Sequence, residues 1–273
     1  MQIDVASVLE SRAPRVARLM PRWLVRKLEE AVCQDRMNRI LTTLDGLKGV
    51  DFAEGVLKEL SISYDIAGAD FDPANRHVIF VSNHPLGGLD GLVLSSMVRR
   101  LYHGDGTMKF VVNDLLTYIE PLRDIFVGVN KHGAQSREAA AAIDGAFDSD
   151  VPLLMFPAGL CSRRGKDGVV ADLQWKTMVV KRAISSHRDI IPVHFSGENS
   201  SFFYKFARLR TRLGLKFNIE MLRLPRELFY NEGARFTVTL GQPIGWQTLK
   251  GGKELQTTAD SLRQAVYNLS KQP

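Results

Sequence analysis

The chain has 273 residues, 45% hydrophobic and 24% charged, and its 36 Lys and Arg against 30 Asp and Glu give a formal charge of +6. That length and balance suit a globular protein with a sizeable core, and they exclude a disordered, collagen-like or disulfide-scaffold chain. Cys33 and Cys161 are too few and too far apart for a CxxC pair or an oxidised framework, which points to a reducing, cytosolic setting.

Residues 1–60 carry a helical pattern whose start is broken by Pro14 and Pro21. Over residues 22–33, Trp23, Leu24, Leu28, Ala31 and Val32 recur near helical spacing, and Asp51 reads as the N-cap of a helix over 52–60. From there strands alternate with helices. Strands over 62–66 and 77–82 precede a helix over 92–101, and short strands follow at 109–112 and 126–129. A helix over 135–147, with alanines at 139–142, leads to a strand over 152–156, a helix over 176–186 and a strand over 190–195. A strand over 235–240 and a helix over 254–270 close the chain. This order predicts an α/β fold: a largely parallel mixed sheet flanked by helices over residues 61–273, with a helical N-terminal extension over 1–60.

The positive charge is concentrated. Residues 11–28 contain Arg12, Arg15, Arg18, Arg22, Arg26 and Lys27 without an acid, and residues 203–217 contain Lys205, Arg208, Arg210, Arg212 and Lys216 without an acid. The remainder carries a net −5. Such segments suit anionic lipid, nucleic acid or an acidic protein. Aromatic rings interleave with cations at helical spacing over 202–217, as in a helix lying at a lipid interface. Arg15, Arg18, Arg22, Trp23 and Arg26, with Phe202, Phe203, Lys205, Arg208 and Arg212, are therefore expected to contact an anionic membrane. No apolar run approaches the roughly 18–20 residues of a spanning helix, and an opening with Gln2, Asp4 and Glu10 does not read as a secretory signal. The expected location is the inner face of the cytoplasmic membrane, held peripherally. No recognition helix or aromatic sheet motif accompanies the charge, so nucleic acid is not the expected partner.

The chemistry is concentrated in the block Ser82-Asn-His-Pro-Leu-Gly-Gly-Leu-Asp-Gly91, which follows an apolar strand. Loops at the carboxyl ends of strands are where ligands bind in α/β sheets. A carboxylate on one nitrogen of His84 would leave the other as a general base, and Gly87 and Gly88 would let backbone N–H groups approach a developing oxyanion. Read alone, the block is equally a turn with Asp90 as a cap and His84 on the surface. Two further blocks, Phe156-Pro-Ala-Gly-Leu-Cys-Ser-Arg-Arg164 and Ile191-Pro-Val-His-Phe-Ser-Gly197, also adjoin apolar strands.

This ordered set resembles the glycerolipid acyltransferase family, which includes the lysophosphatidate acyltransferases, over roughly residues 61–245. The resemblance implies that His84 deprotonates the acceptor, with Asp90 orienting it and stabilising the imidazolium. It implies substrate-binding roles for Asn83, Gly87, Gly88, Asn130, Phe156, Pro157 and Gly159, and for Pro192 and Val193 in the acyl or acceptor pocket. No acyl-enzyme is implied, because the acceptor attacks the thioester directly. Three features depart from the family pattern. Five residues instead of four separate His84 from Asp90, Ala158 replaces the usual Glu, and the segment ending at Asn130-Lys131 lacks the usual Arg. Losing these phosphate-holding groups should weaken binding of a phosphate monoester.

His84–Gly91 and the 156–164 block look closer to the bacterial hemolysin-like acyltransferases, including N-acyltransferases of glycine-lipid and ornithine-lipid synthesis. That resemblance implies a fatty-acyl donor on acyl carrier protein, or acyl-CoA, with phosphopantetheine in the thioester. It favours a small amino acid such as glycine as acceptor, giving an amide. Lysophosphatidate or lysophospholipid O-acylation is the alternative, and an anionic-membrane binding module on an inactive fold is the non-enzyme rival. Arg163, Arg164 and Lys166 could meet the donor's phosphate or an acidic carrier protein, or simply form a solvated basic loop. Cys161 reads as a small residue in a tight loop before it reads as a nucleophile. Gly159 and Gly165 are spaced wrongly for a nucleotide phosphate loop, and no Gly-x-Ser-x-Gly, His-Glu-x-x-His or Cys/His cluster is present, so neither a serine hydrolase nor a metal is expected.

Overall fold

The structure is a computed structural model that describes residues 2–12, 14–129, 137–214 and 219–271. Helices come first: α1 (Val5–Arg12), α2 (Pro14–Leu19), α3 (Arg22–Ala31), α4 (Gln34–Thr43) and α5 (Gly49–Glu59). The alternating part follows as β1 (Ser63–Gly68), β2 (Val78–Ser82), α6 (Leu89–Leu101), β3 (Lys109–Asn113), β4 (Phe126–Val129), α7 (Arg137–Asp148) and β5 (Leu153–Met155). A two-residue hairpin, β6 (Arg163–Arg164) and β7 (Val170–Ala171), precedes α8 (Met178–Ser185), β8 (Asp189–Phe195), α9 (Ser201–Arg212), α10 (Leu224–Tyr230), β9 (Arg235–Leu240) and α11 (Leu255–Leu269).

Among the described residues seven strands form one mixed sheet in the order β1-β9-β8-β2-β5-β3-β4. All neighbours are parallel except β8 and β9, so β1 and β9 run together against the other five. The apolar run of β2 follows from its burial on both faces. Val78 and Phe80 enter one core with α5 and α6, while Ile79 and Val81 enter a second with α7, α8 and α11. Ile40, Leu41, Val50, Phe52, Ala53, Val56 and Leu57, from α4 and α5, belong to the first of these cores. By contrast α3 buries no residue.

Two helices start earlier than the sequence expectation. The N-cap of α5 is Lys48, with Asp51 in the first turn, where its charge still complements the helix dipole. α6 begins at Leu89, so Asp90 lies inside the helix and not in the preceding loop. At the amino ends of the central strands, the buried Arg188 donates to the carbonyls of Phe147, Val151, Val78 and Ser149. Burial pushes its guanidinium pKa down, and these carbonyls compensate the buried charge. Because β8, β2 and β5 are adjacent and parallel, the loops after Phe195, Ser82 and Met155 all leave from the carboxyl ends of these strands.

Candidate active site

The extra residue between His84 and Asp90 does not separate them. Nδ1 of His84 lies 3.0 Å from Oδ2 of Asp90. Gly87 turns the chain with φ +80°, and the early start of α6 brings Asp90 back beneath the imidazole. Asp90 is fully buried. Its Oδ2 also accepts from the N–H groups of Leu86 and Gly87 at 2.9 and 3.3 Å, and its Oδ1 from Gly91 at 2.9 Å. These donors take the place of water around the carboxylate, as burial of a charge requires. A carboxylate at Nδ1 calls for the proton there, which leaves Nε2 with its lone pair on the other side of the ring.

Phe156, leaving β5, stacks on this imidazole with centroids 3.9 Å apart and planes 19° apart. It is braced by the edge of Phe110, whose ring in turn lies 3.0 Å from where a Cβ on Gly91 would sit. Pro157 is buried and its carbonyl accepts from Lys176 N–H, while Gly159 turns at φ +66°. Ala158 is buried in the apolar core, so no polar group occupies the position of the family's Glu. Gly88 has open space where a side chain would sit.

Several expected site residues have other work. Asn83 is buried and clamps β2 to β8: it donates to Phe195 O and accepts from Phe195 N–H, at 2.9 and 2.7 Å. Its amide is spent on the sheet, which argues against a substrate contact. Val193 is fully enclosed in the core and Pro192 is buried beside it, so neither presents a surface to a ligand. Gly87 N–H serves Asp90, which removes it as an oxyanion donor. Arg163 donates to Cys161 O and pairs with the fully buried Glu220, which also binds Arg210. That leaves Arg163 poorly placed for a donor phosphate. Arg164 lies over the Tyr204 ring and pairs with Glu198 at 3.0 Å, in a more open position. Asn130 lies outside the described residues. Cys161 is fully buried, and burial pushes its thiol up to about 11, against a nucleophilic role.

Among the expected membrane residues, Arg15, Arg18, Arg22, Trp23 and Arg26 are exposed, as are Phe202, Lys205, Arg208 and Arg212. Phe203 is the exception: it is fully buried with Cys161 and Tyr204, because one face of α9 must pack on the body. Among the described residues no helix is long and apolar enough to cross a membrane, and no His, Cys, Asp and Glu cluster could hold a metal ion.

One residue of the site had no sequence signal. Asp172 follows β7, and its carboxylate accepts from His84 N–H, Ser162 Oγ and Trp175 Nε1 at 3.1, 2.6 and 2.8 Å. An acid between Ala171 and Leu173 stands out by neither spacing nor composition. Only the fold brings its donors together.

The acyltransferase family model matches residues 7–272. The chain is 41% identical to the lyso-glycine lipid O-acyltransferase of Bacteroides thetaiotaomicron, over 98% of this chain and 97% of that protein. It is 40% identical to the protein of the same name from Phocaeicola vulgatus, over 98% and 95%. Among solved structures, the 1-acyl-sn-glycerophosphate acyltransferase PlsC of Thermotoga maritima aligns over 92% of this chain and 94% of that one, at 16% identity and a TM-score of 0.45.

Proposed function

The chain belongs to the acyltransferase family, and we propose that it moves a fatty-acyl chain from a thioester to the hydroxyl of a lyso-glycine lipid. The buried His84–Asp90 pair at 3.0 Å is the observation that carries the chemistry, and the names of two relatives near 40% identity support the acceptor. A hydroxyl needs a base as it attacks, which neutral His84 supplies through Nε2. An amine must shed a proton before it can attack at all. That difference, with the relatives' names, moves the preferred acceptor from the amine of free glycine to an oxygen.

In this mechanism the acceptor oxygen attacks the thioester carbonyl while Nε2 takes its proton. Asp90 compensates the imidazolium that forms, and Phe156 keeps the ring from swinging away. Collapse of the tetrahedral intermediate breaks the C–S bond and completes the ester, and the imidazolium returns its proton to the departing thiolate. Open space at Gly88 gives reactants an approach to the dyad. The donor is a phosphopantetheine thioester on acyl carrier protein or coenzyme A. The exposed cations and rings of α3 and α9 hold the enzyme peripherally on the anionic inner face of the membrane, where a one-chain lipid resides.

The test is incubation of the purified protein with an acyl-acyl carrier protein or acyl-CoA and, separately, lyso-glycine lipid, glycine or lysophosphatidate. Mass spectrometry before and after mild alkaline hydrolysis separates a labile ester from a stable amide. A labile product on lyso-glycine lipid is expected, lost in His84→Ala. Acylation of glycine alone, or a fully active His84→Ala, contradicts the proposal.

A further inference from the structure

We infer that Asp172 is a positioning residue for acyl transfer, setting the backbone of His84 as Asp90 sets its ring. The inference rests on His84 acting as proposed above.

Asp172 is only 5% exposed, and its carboxylate meets donors from three separate stretches of chain. One oxygen, Oδ1, accepts from both His84 N–H and Ser162 Oγ, and Oδ2 accepts from the Trp175 indole. Ser162 N–H in turn donates to His84 O at 2.7 Å. The backbone of His84 is thus gripped on both sides by one small cluster. Asp172 itself is fixed from α11: its N–H donates to the Tyr267 hydroxyl at 2.7 Å, and its carbonyl accepts from Arg263 at 2.9 Å. Burying a carboxylate is costly, and an apolar residue would pack a loop at lower cost. What the carboxylate adds is a pair of directional bonds on one oxygen, at the residue whose ring must be placed to within about half an ångström.

The contacts dictate a paired test. In Asp172→Asn the amide can face either way. With its oxygen toward His84 and Ser162, its NH₂ opposes the Trp175 N–H. Reversed, it opposes His84 N–H. Adding Trp175→Phe removes the indole donor, so the first orientation no longer sets two donors against each other and the grip on His84 is restored. Asp172→Asn is expected to lower kcat by about 10²-fold with KM held within about threefold. The double variant should recover to within about tenfold of wild type, and Trp175→Phe alone should stay within about threefold. Exchange of the His84 amide, followed by NMR, should quicken in Asp172→Asn and slow again in the double variant, independently of any substrate.

A folded Asp172→Asn with wild-type kcat, or a double variant no better than the single, overturns the inference. If Asp172→Asn does not fold, Ser162→Ala carries the test. It removes one of the two donors on Oδ1 and should lower kcat by about tenfold at unchanged KM, and a wild-type kcat there counts against the idea. His84→Ala, run alongside, separates the two levels. Activity surviving in His84→Ala defeats the proposed mechanism, whereas an inactive His84→Ala beside an unaffected Asp172→Asn defeats only the role of Asp172.

Discussion

Replacing Asp90 with Asn isolates the charge of the dyad from its geometry. Three donors, His84 Nδ1 and the N–H groups of Leu86 and Gly87, converge on Oδ2, while among the described residues only Gly91 N–H meets Oδ1. An Asn therefore keeps its oxygen at the Oδ2 position and places its NH₂ against Gly91. The imidazole retains its hydrogen bond and its orientation. What disappears is the negative charge about 4 Å from the imidazolium that forms during attack. At an effective dielectric near 20 that attraction is worth about 4 kcal/mol. Since about 1.4 kcal/mol is a decade in rate, and the amide dipole retains part of the interaction, kcat should fall between about 10²- and 10³-fold. The opposed N–H groups at Gly91 should cost about 1–3 kcal/mol of stability. Thiol release under saturating acceptor measures the first effect and urea unfolding the second. A folded Asp90→Asn whose kcat lies within about threefold of wild type would refute the argument.

Other outcomes follow from the same contacts. Gly87→Ala should impair both stability and turnover. Its φ of +80° disfavours a side chain by about 1–2 kcal/mol, and the new Cβ would lie 2.6 Å from Leu224 Cδ1. Leu224→Ala should relieve the clash but not the backbone strain, giving partial recovery in thermal melts; full recovery would rule out the strain. Cys161→Ala should keep at least about a third of kcat, and native protein at pH 8 should resist iodoacetamide at Cys161, because its thiol is held up to about 11. A hundredfold loss would point to thiol chemistry. Arg188→Met should lower unfolding free energy by more than about 3 kcal/mol, since several carbonyls, those of the buried residues Phe147 and Val78 among them, lose their donor at once. A midpoint within error of wild type would show that water replaces the guanidinium.

The alternation of apolar strands with helices was enough to predict the mixed sheet, because a strand buried on both faces must be apolar throughout. The partnership of His84 and Asp90 was also legible, since both lie within one loop-and-turn of chain and backbone geometry limits how far apart they can be. The helix start at Leu89 was not, because Gly88 and Leu89 do not advertise a cap. Side-chain direction was equally out of reach. Nothing local distinguishes Phe202, exposed, from Phe203, buried, until α9 has a body to pack on. Nor could residue type show that Asn83 serves the sheet or that Arg163 is held by Glu220.

The charge follows the same division. Its concentration in residues 11–28 and 203–217 is a property of sequence, and it marks the two segments that can meet an anionic surface. Which of those cations are free to do so is a tertiary matter: Lys205, Arg208 and Arg212 are exposed, while Arg210 turns inward to Glu220. The residues of the site divide likewise. His84 and Asp90 are close in sequence and could be paired from it. Asp172 gathers donors from residues 84, 162 and 175 and is braced by Tyr267 and Arg263. Contacts over such separations depend on where whole elements pack, which no local pattern encodes.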